Sequence, residues 1–176
     1  LEDNGGLADS QYGFRKGRST IDAVQRVIDR VQQENRRLLK NRRTTALILL
    51  DVRNAFNSTE WKLIIASLEK RNISPYLRRI LSDYLRNRVV TKGGVEFDMS
   101  AGVPQGSVLG PTLWNIAYDD VLRLPLPEGA ETLAYADDLA LLVSATEVKE
   151  LEMIANEALA IISRWMESNG LELAPQ

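Results

Sequence analysis

Cysteine and histidine are both absent from the 176 residues. Their absence removes disulfides, thiolate or imidazole zinc sites, and every catalytic scheme built on a cysteine nucleophile or a histidine base. If this chain takes part in catalysis, carboxylates carry it. Long apolar runs are missing too. Nothing approaches the roughly 18 residues of a membrane span and no signal peptide is visible at the start, so a soluble, intracellular protein with no membrane partner is expected. What remains is 44 % hydrophobic and 26 % charged, a balance that suits one globular domain with a sizeable core.

Positive charge is scarce in the second half. Residues 93–176 hold 3 Lys and Arg against 14 Asp and Glu, whereas residues 1–92 hold 19 against 10, and the net charge of −2 conceals the division. A basic half can hold a polyanion while an acidic half supplies carboxylates, which suits a nucleic-acid enzyme; solvated helix faces are the alternative. The chain opens at Leu1 without Met and stops at Ala174-Pro175-Gln176 just after Leu171 and Leu173, and it reads as a piece of a longer protein.

The acidic residues that matter most are Asp137 and Asp138. Thr132-Leu133-Ala134 precede Tyr135-Ala136-Asp137-Asp138, and Leu139-Ala140-Leu141-Leu142-Val143 follow, so two strand-like runs meet at an acidic hairpin tip. Two anions about 4 Å apart repel by roughly 4 kcal/mol at an effective dielectric near 20, so keeping both ionised favours a nearby divalent cation. Ordinary turn chemistry, in which Asp is favoured, is the competing explanation.

Taken in order, residues 1–18 are Gly-rich and basic, and Ser19-Thr20 starts a helix of about 20 residues with Ile21, Val24, Val27, Ile28, Val31 and Leu38 at helical spacing. Arg36, Arg37, Lys40, Arg42 and Arg43 follow on its polar side. Thr44–Leu50 is a continuous apolar run, predicting a strand covered on both faces and ending at Asp51. Ser58 or Thr59 caps a helix with Trp61, Ile64, Ile65 and Leu68 inward, and Ser74-Pro75 starts another with Leu77, Ile80, Leu81 and Tyr84. Gly93-Gly94 marks a hairpin between Val89-Val90-Thr91 and Val95-Glu96-Phe97. The loop Gly102–Pro111 opens a helix at Leu113, Ile116, Ala117 and Val121, and Thr146 starts a long amphipathic helix ended by Asn169-Gly170. The order αβααββαββα, with hairpins, predicts an α+β fold with helices packed on one face of a largely antiparallel sheet. Such a fold can bring Asp51 to Asp137 and Asp138.

Three stretches stand in the order and at about the spacing of polymerase motifs A, B and C: Leu50-Asp51-Val52-Arg53-Asn54-Ala55-Phe56-Asn57, Gly102-Val103-Pro104-Gln105-Gly106-Ser107-Val108-Leu109-Gly110-Pro111, and Tyr135-Ala136-Asp137-Asp138. With Tyr12-Gly13-Phe14-Arg15-Lys16-Gly17-Arg18-Ser19-Thr20 upstream, the chain resembles the palm and part of the fingers of a reverse transcriptase from a LINE-type, non-LTR retrotransposon. The resemblance implies residues 1–45 and about 58–100 as fingers and palm helices with a hairpin. It implies residues 46–57 and 101–176 as palm motifs A, B, C and the start of D. It implies two Mg²⁺ ions, with Mn²⁺ as substitute, held by Asp51, Asp137, Asp138 and the Val52 carbonyl. The amides of Asn54 and Ala55 would face a dNTP triphosphate, Phe56 would lie under the sugar, and Gln105 and Gly106 would touch the incoming nucleotide and template. Arg15, Arg18 and Tyr135 are implied as template or primer contacts, with local structure as the alternative for the two arginines and core packing as the alternative for Phe56. An RNA template and a DNA primer would be the partners, and the nucleus the site of action of the parent element.

Asn57 stands where many relatives carry Asp. By the resemblance, the fingers hairpin would precede Leu1 and the Lys of motif D would follow Gln176, with thumb and endonuclease elsewhere in a parent polyprotein, so the chain alone is expected to polymerise poorly or not at all. An RNA-dependent RNA polymerase would carry Gly before the acid pair and a second Asp near Phe56, and neither is present. A nucleotide cyclase has no use for the Arg-rich first half. A domesticated palm that only binds nucleic acid is the rival from another class.

Overall fold

Ser19 opens the first helix through a capping box: its hydroxyl accepts from the Asp22 amide at 3.3 Å while the Asp22 carboxylate accepts from the Ser19 amide at 2.7 Å. A computed structural model describes residues 6–36, 42–104 and 106–174, and in it this helix, α1, spans Thr20–Asn35. It is shorter than the spacing predicts; Arg37, Leu38 and Lys40 lie outside the described residues. The expected apolar stripe is also rotated. Ile21, Val24 and Ile28 are exposed and Ala23 is buried, because α1 rests only one edge on the sheet.

Three strands form that sheet: β1 (Thr44–Leu50), β4 (Ala130–Tyr135) and β5 (Asp138–Ala145), in the order β1-β5-β4 and antiparallel throughout. The centre of the sheet is therefore β5, which is buried along nearly its whole length. Leu139, Leu141 and Val143 face the main core, and Ala140 and Leu142 face a smaller cluster with Tyr12, Ala23 and Leu133. The apolar run of β1 had predicted a strand covered on both faces, and this is corrected: β1 is an edge strand, with Leu47 48 % and Leu49 63 % exposed. Residues 44–50 alternate because one face meets the core while α1 leaves the other partly open.

Most helices lie on the main-core face, as expected of the fold class. After a short turn of helix, α2 (Ala55–Ser58), come α3 (Trp61–Lys70) and α4 (Pro75–Leu85), then α5 (Gly110–Tyr118) and the long α6 (Val148–Ser168). Ile64, Leu68, Leu113, Trp114 and Ile162 are fully enclosed there, each such side chain contributing about 1.5–3 kcal/mol. Ser58 and Thr59 do not cap α3. Both hydroxyls instead donate back to carbonyls of α2, Thr59 to Ala55 at 2.8 Å, and Glu60 occupies the cap position. Ser74 caps α4 as predicted, but Leu77 and Ile80 are exposed and Leu85 is the buried contact. The strands β2 (Val89–Lys92) and β3 (Val95–Asp98) form the predicted hairpin around Gly93-Gly94, exposed along its length. Among the described residues no helix is long and apolar enough to cross a membrane.

Candidate active site

Register brings the acids together. In the β1–β5 ladder Leu50 pairs with Leu139, so Asp51 and Asp138 stand one step further on, where the ladder ends. Tyr135 pairs with Asp138 across the β4–β5 hairpin, leaving Ala136 and Asp137 as a two-residue turn. Period-2 alternation then puts Asp51, Asp138, Tyr135, Leu49 and Ala140 on one face, and these residues line a cleft of about 900 Å³ walled by Val24, Val27 and Leu47.

The turn is held from behind. Ala136 has φ 59°, a left-handed conformation that costs a residue with a Cβ on the order of 1 kcal/mol. Its carbonyl accepts from Trp114 Nε1 at 3.1 Å and from Gln11 Nε2 at 3.3 Å, and its amide donates to Gln11 Oε1 at 3.3 Å. On the other side of the site, the last described residues pair with the segment Asp51–Arg53. Val52 forms an antiparallel bridge with Leu173, the Arg53 amide donates to the Glu172 carbonyl, and the Ala174 amide donates to the Asp51 carbonyl, both at 2.8 Å. Nothing in the sequence marked Gln11 or Trp114 for these tasks, and Leu173 was marked only weakly. The apolar pair Leu171 and Leu173 was the available hint for the last.

The acids feel one another. Burial, then the charges of Asp137 and Asp51, raise the pKa of Asp138 above the ordinary carboxylate value. Beneath them the Tyr118 hydroxyl is buried without a hydrogen-bond partner among the described residues, and burial followed by the charges of Asp137, Asp138 and Asp51 pushes its pKa well above the phenol range. A divalent cation would relieve this concentration of negative charge, and carboxylate oxygens are the donors Mg²⁺ prefers, so the donor set fits the ion in kind. Among the described residues the acids are not already drawn into a group of three able to hold an ion. The metal-free domain should therefore gain stability when one charge goes. The folded protein favours neutral Asp138, so its contribution is fully present below the unfolded value of 3.8 and is lost as pH rises through the higher folded value. Asp138→Asn should stabilise the domain at neutral pH in EDTA by no more than about 0.5 kcal/mol, because the group is exposed and screened, which is about 1–2 °C in melting temperature. The gain should vanish below the ordinary carboxylate range, and thermal melts at the two pH values check both.

The other predicted residues surround this centre unevenly. Asn54 takes a left-handed conformation, φ 51°, at the start of α2, and the Asn57 side chain donates to its Oδ1 at 2.7 Å. Ala55 is buried below it, and Phe56 joins an aromatic column, 5.5 Å from Trp114 in a stacked pair and 6.0 Å from Phe14 edge-on. The Gly-rich loop docks on this turn: the Gly102 amide donates to Thr59 and the Val103 amide to Phe56, both at 2.8 Å. Gly106, φ 78°, is exposed at the loop's tip with nothing within 4 Å of where a Cβ would stand; Gln105 lies outside the described residues. Arg15 and Arg18 are engaged locally. Arg15 donates to the Ala8 carbonyl at 2.7 Å, and Arg18 pairs with Asp9 at 2.8 Å while lying over the Tyr12 ring.

Comparison with known proteins shows the family to which the chain belongs. The chain is 31 % identical over 180 residues to a probable RNA-directed DNA polymerase from transposon BS of Drosophila melanogaster, covering 97 % of this chain and 19 % of that protein. It is 32 % identical over 166 residues to the RNA-directed DNA polymerase from mobile element jockey of Drosophila funebris, covering 88 % and 18 %. The chain thus spans about a fifth of the length of these curated relatives. Among solved structures, apo telomerase from Candida tropicalis, truncated from its C-terminal domain, superposes with a TM-score of 0.68 at 15 % identity over 93 % of this chain and 34 % of that one, which shows a shared fold. The family model described as reverse transcriptase (RNA-dependent DNA polymerase) matches residues 3–176, and with relatives of this kind the chain belongs to the reverse transcriptase family, as a domain of the non-LTR retrotransposon type.

Proposed function

We propose that this domain is the palm, with part of the fingers, of an RNA-directed DNA polymerase that joins a dNTP to a primer 3′-hydroxyl on an RNA template. One observation carries the reading: Asp51 and Asp138 line the same cleft at the open end of the β1–β5 ladder, with Asp137 in the adjoining turn. Asp51, Asp137, Asp138 and the Val52 carbonyl would hold two Mg²⁺ ions, or Mn²⁺ in their place. Such ions, when bound, activate the attacking hydroxyl and neutralise charge on the phosphates. The protein's own share is positioning. The turn at Asn54 and Ala55 would receive the triphosphate, Gln105 and Gly106 would meet the nucleotide and template strand, and Tyr135 would line the primer path. Arg15 and Arg18 would shape the loop beside the template. The test is primer extension on poly(rA)/oligo(dT) with Mg²⁺ or Mn²⁺ in a parent-length protein. Ion-dependent extension supports the reading, and none under any condition overturns it. The 176-residue chain alone should extend weakly, because most catalysis of phosphoryl transfer lies in positioning that other regions would share.

Phe56 would exclude ribonucleotides by filling the space a 2′-hydroxyl needs. Phe56→Ala should raise ribonucleotide incorporation relative to deoxyribonucleotide by at least about tenfold, since a steric contact of this size is worth about 1–3 kcal/mol. The ratio of kcat/KM values for the two substrates decides. An unchanged ratio in a folded variant would return Phe56 to the aromatic column alone.

A further inference from the structure

We infer that Gln11 is a positioning residue for the acidic turn, acting on Asp137 and Asp138 through the backbone of Ala136; this rests on the reading of those acids as polymerase carboxylates. Ser10 to Gly13 run beside β4, with the Tyr12 amide donating to the Ala134 carbonyl and the Ala134 amide donating to the Ser10 carbonyl, both at 2.8 Å. That places the Gln11 side chain, 0 % exposed, under the turn. Its amide group then grips both polar atoms of one residue, giving Nε2–H to the Ala136 carbonyl and receiving the Ala136 N–H on Oε1, each at 3.3 Å. The same Oε1 receives the Gly13 amide at 2.9 Å, which fixes which end of the side chain is oxygen. Gly13 is pressed flat against the turn: a Cβ there would stand 2.0 Å from the Ala136 nitrogen and 2.9 Å from the Tyr135 carbonyl carbon. Asn115 holds the strand in place by donating Nδ2–H to the Gly13 carbonyl at 2.9 Å.

The bracket matters because Ala136 is left-handed and lacks the freedom of glycine. If Ala136 relaxes, the next two residues swing, and they are the acids. A buried primary amide is suited to the task because it offers a donor and an acceptor side by side at fixed spacing and carries no charge of its own beside two carboxylates. Trp114 supplies only a donor, to the same carbonyl. Gln11 therefore governs the geometry of the acidic pair without touching substrate or ion.

The test uses the full-length polymerase that contains this chain, with Gln11→Met, which keeps length and removes both hydrogen-bonding ends. Amide exchange of the segment around Ala136, read by mass spectrometry without ions or nucleic acid, should accelerate about tenfold or more as the bracket opens. Primer extension should lose about ten- to a hundredfold in kcat, the scale of an ångström-sized misplacement, with KM for dNTP within about twofold. A merely structural residue would instead lower the amount of active protein and leave the kcat of the folded fraction intact. Unchanged exchange at Ala136, or a kcat within about twofold of wild type, overturns the inference. Should Gln11→Met fail to fold, Gln11→Asn takes its place: it keeps a buried amide but shortens its reach by one methylene, so the bracket on Ala136 opens, and the same two readouts apply. If the wild-type polymerase extends no primer, the polymerase reading fails, and exchange at Ala136 still decides whether Gln11 holds the turn.

Discussion

Asp137→Asn in a parent-length protein is expected to abolish primer extension while leaving the domain folded. The side chain sits half-buried in a two-residue turn between Tyr135 and Asp138 and belongs to neither core cluster. Its removal as a charge lowers repulsion within the acidic group, where burial and then the charges of Asp137 and Asp51 raise the Asp138 pKa. Stability should therefore hold or rise slightly. Activity should not. Loss of one carboxylate from the proposed two-ion centre would remove several kcal/mol of charge stabilisation, and at about 1.4 kcal/mol per tenfold this gives roughly a thousandfold or more in kcat. Single-turnover extension at saturating Mg²⁺, beside a thermal melt, separates the two effects. Extension within about tenfold of wild type in a folded variant would remove Asp137 from the proposed ligands.

Asp119→Ala should have the largest effect on stability. The Asp119 carboxylate, 1 % exposed at the end of α5, accepts from Arg71 at 2.7 Å and from Arg123 on one oxygen, while the Ala8 amide donates to the other. Arg71 is itself buried, so removing its partner strands a charge out of water. Breaking a buried pair on one side costs about 3–5 kcal/mol, whereas exposed pairs such as Arg53–Glu172 are worth about 0–1 kcal/mol. Asp120 lies 3.3 Å from Arg71 and takes up part of the loss, which places the expected cost near the lower end, about 3 kcal/mol. For a domain of this size that is roughly 6–12 °C in melting temperature, measurable by calorimetry. A shift within about 2 °C would mean that Asp120 alone satisfies Arg71.

This ion pair belongs to a wider pattern that gives the charge division a second meaning. Arg26 and Arg30 reach Glu131, Arg53 reaches Glu172, and Lys70 and Arg71 reach Asp120 and Asp119. Each pair joins the basic first half to the acidic second half. Part of the positive charge that suggested a grip on a polyanion is thus spent holding the two halves of the domain together, and the salt-dependent affinity of the chain for nucleic acid should be correspondingly modest.

Local signals were enough for much of the protein. Two apolar runs separated by an acidic pair marked the strands that meet at Asp137 and Asp138, Ser19 and Ser74 announced their helices, and Gly93-Gly94 announced a hairpin, because each depends on atoms only a few residues apart. The strand end at Asp51 and the acidic tip at Asp137 were legible for the same reason, and the spacing of the motifs tied them to one family. Tertiary structure decided what depends on neighbours remote in the chain. The apolar run of β1 pointed to a strand covered on both faces, and only the pairing order β1-β5-β4 made it an edge strand with Leu47 and Leu49 half in water. Ile21 and Val24 had the right period for burial, but α1 touches the sheet along one narrow edge, so periodicity alone could not choose the buried side. Gln11 and Ala136, separated by 125 residues, show no mutual signal in the sequence. A buried amide becomes a bracket only when the fold brings an unsatisfied peptide group within reach, and that proximity is set by packing rather than by local preference.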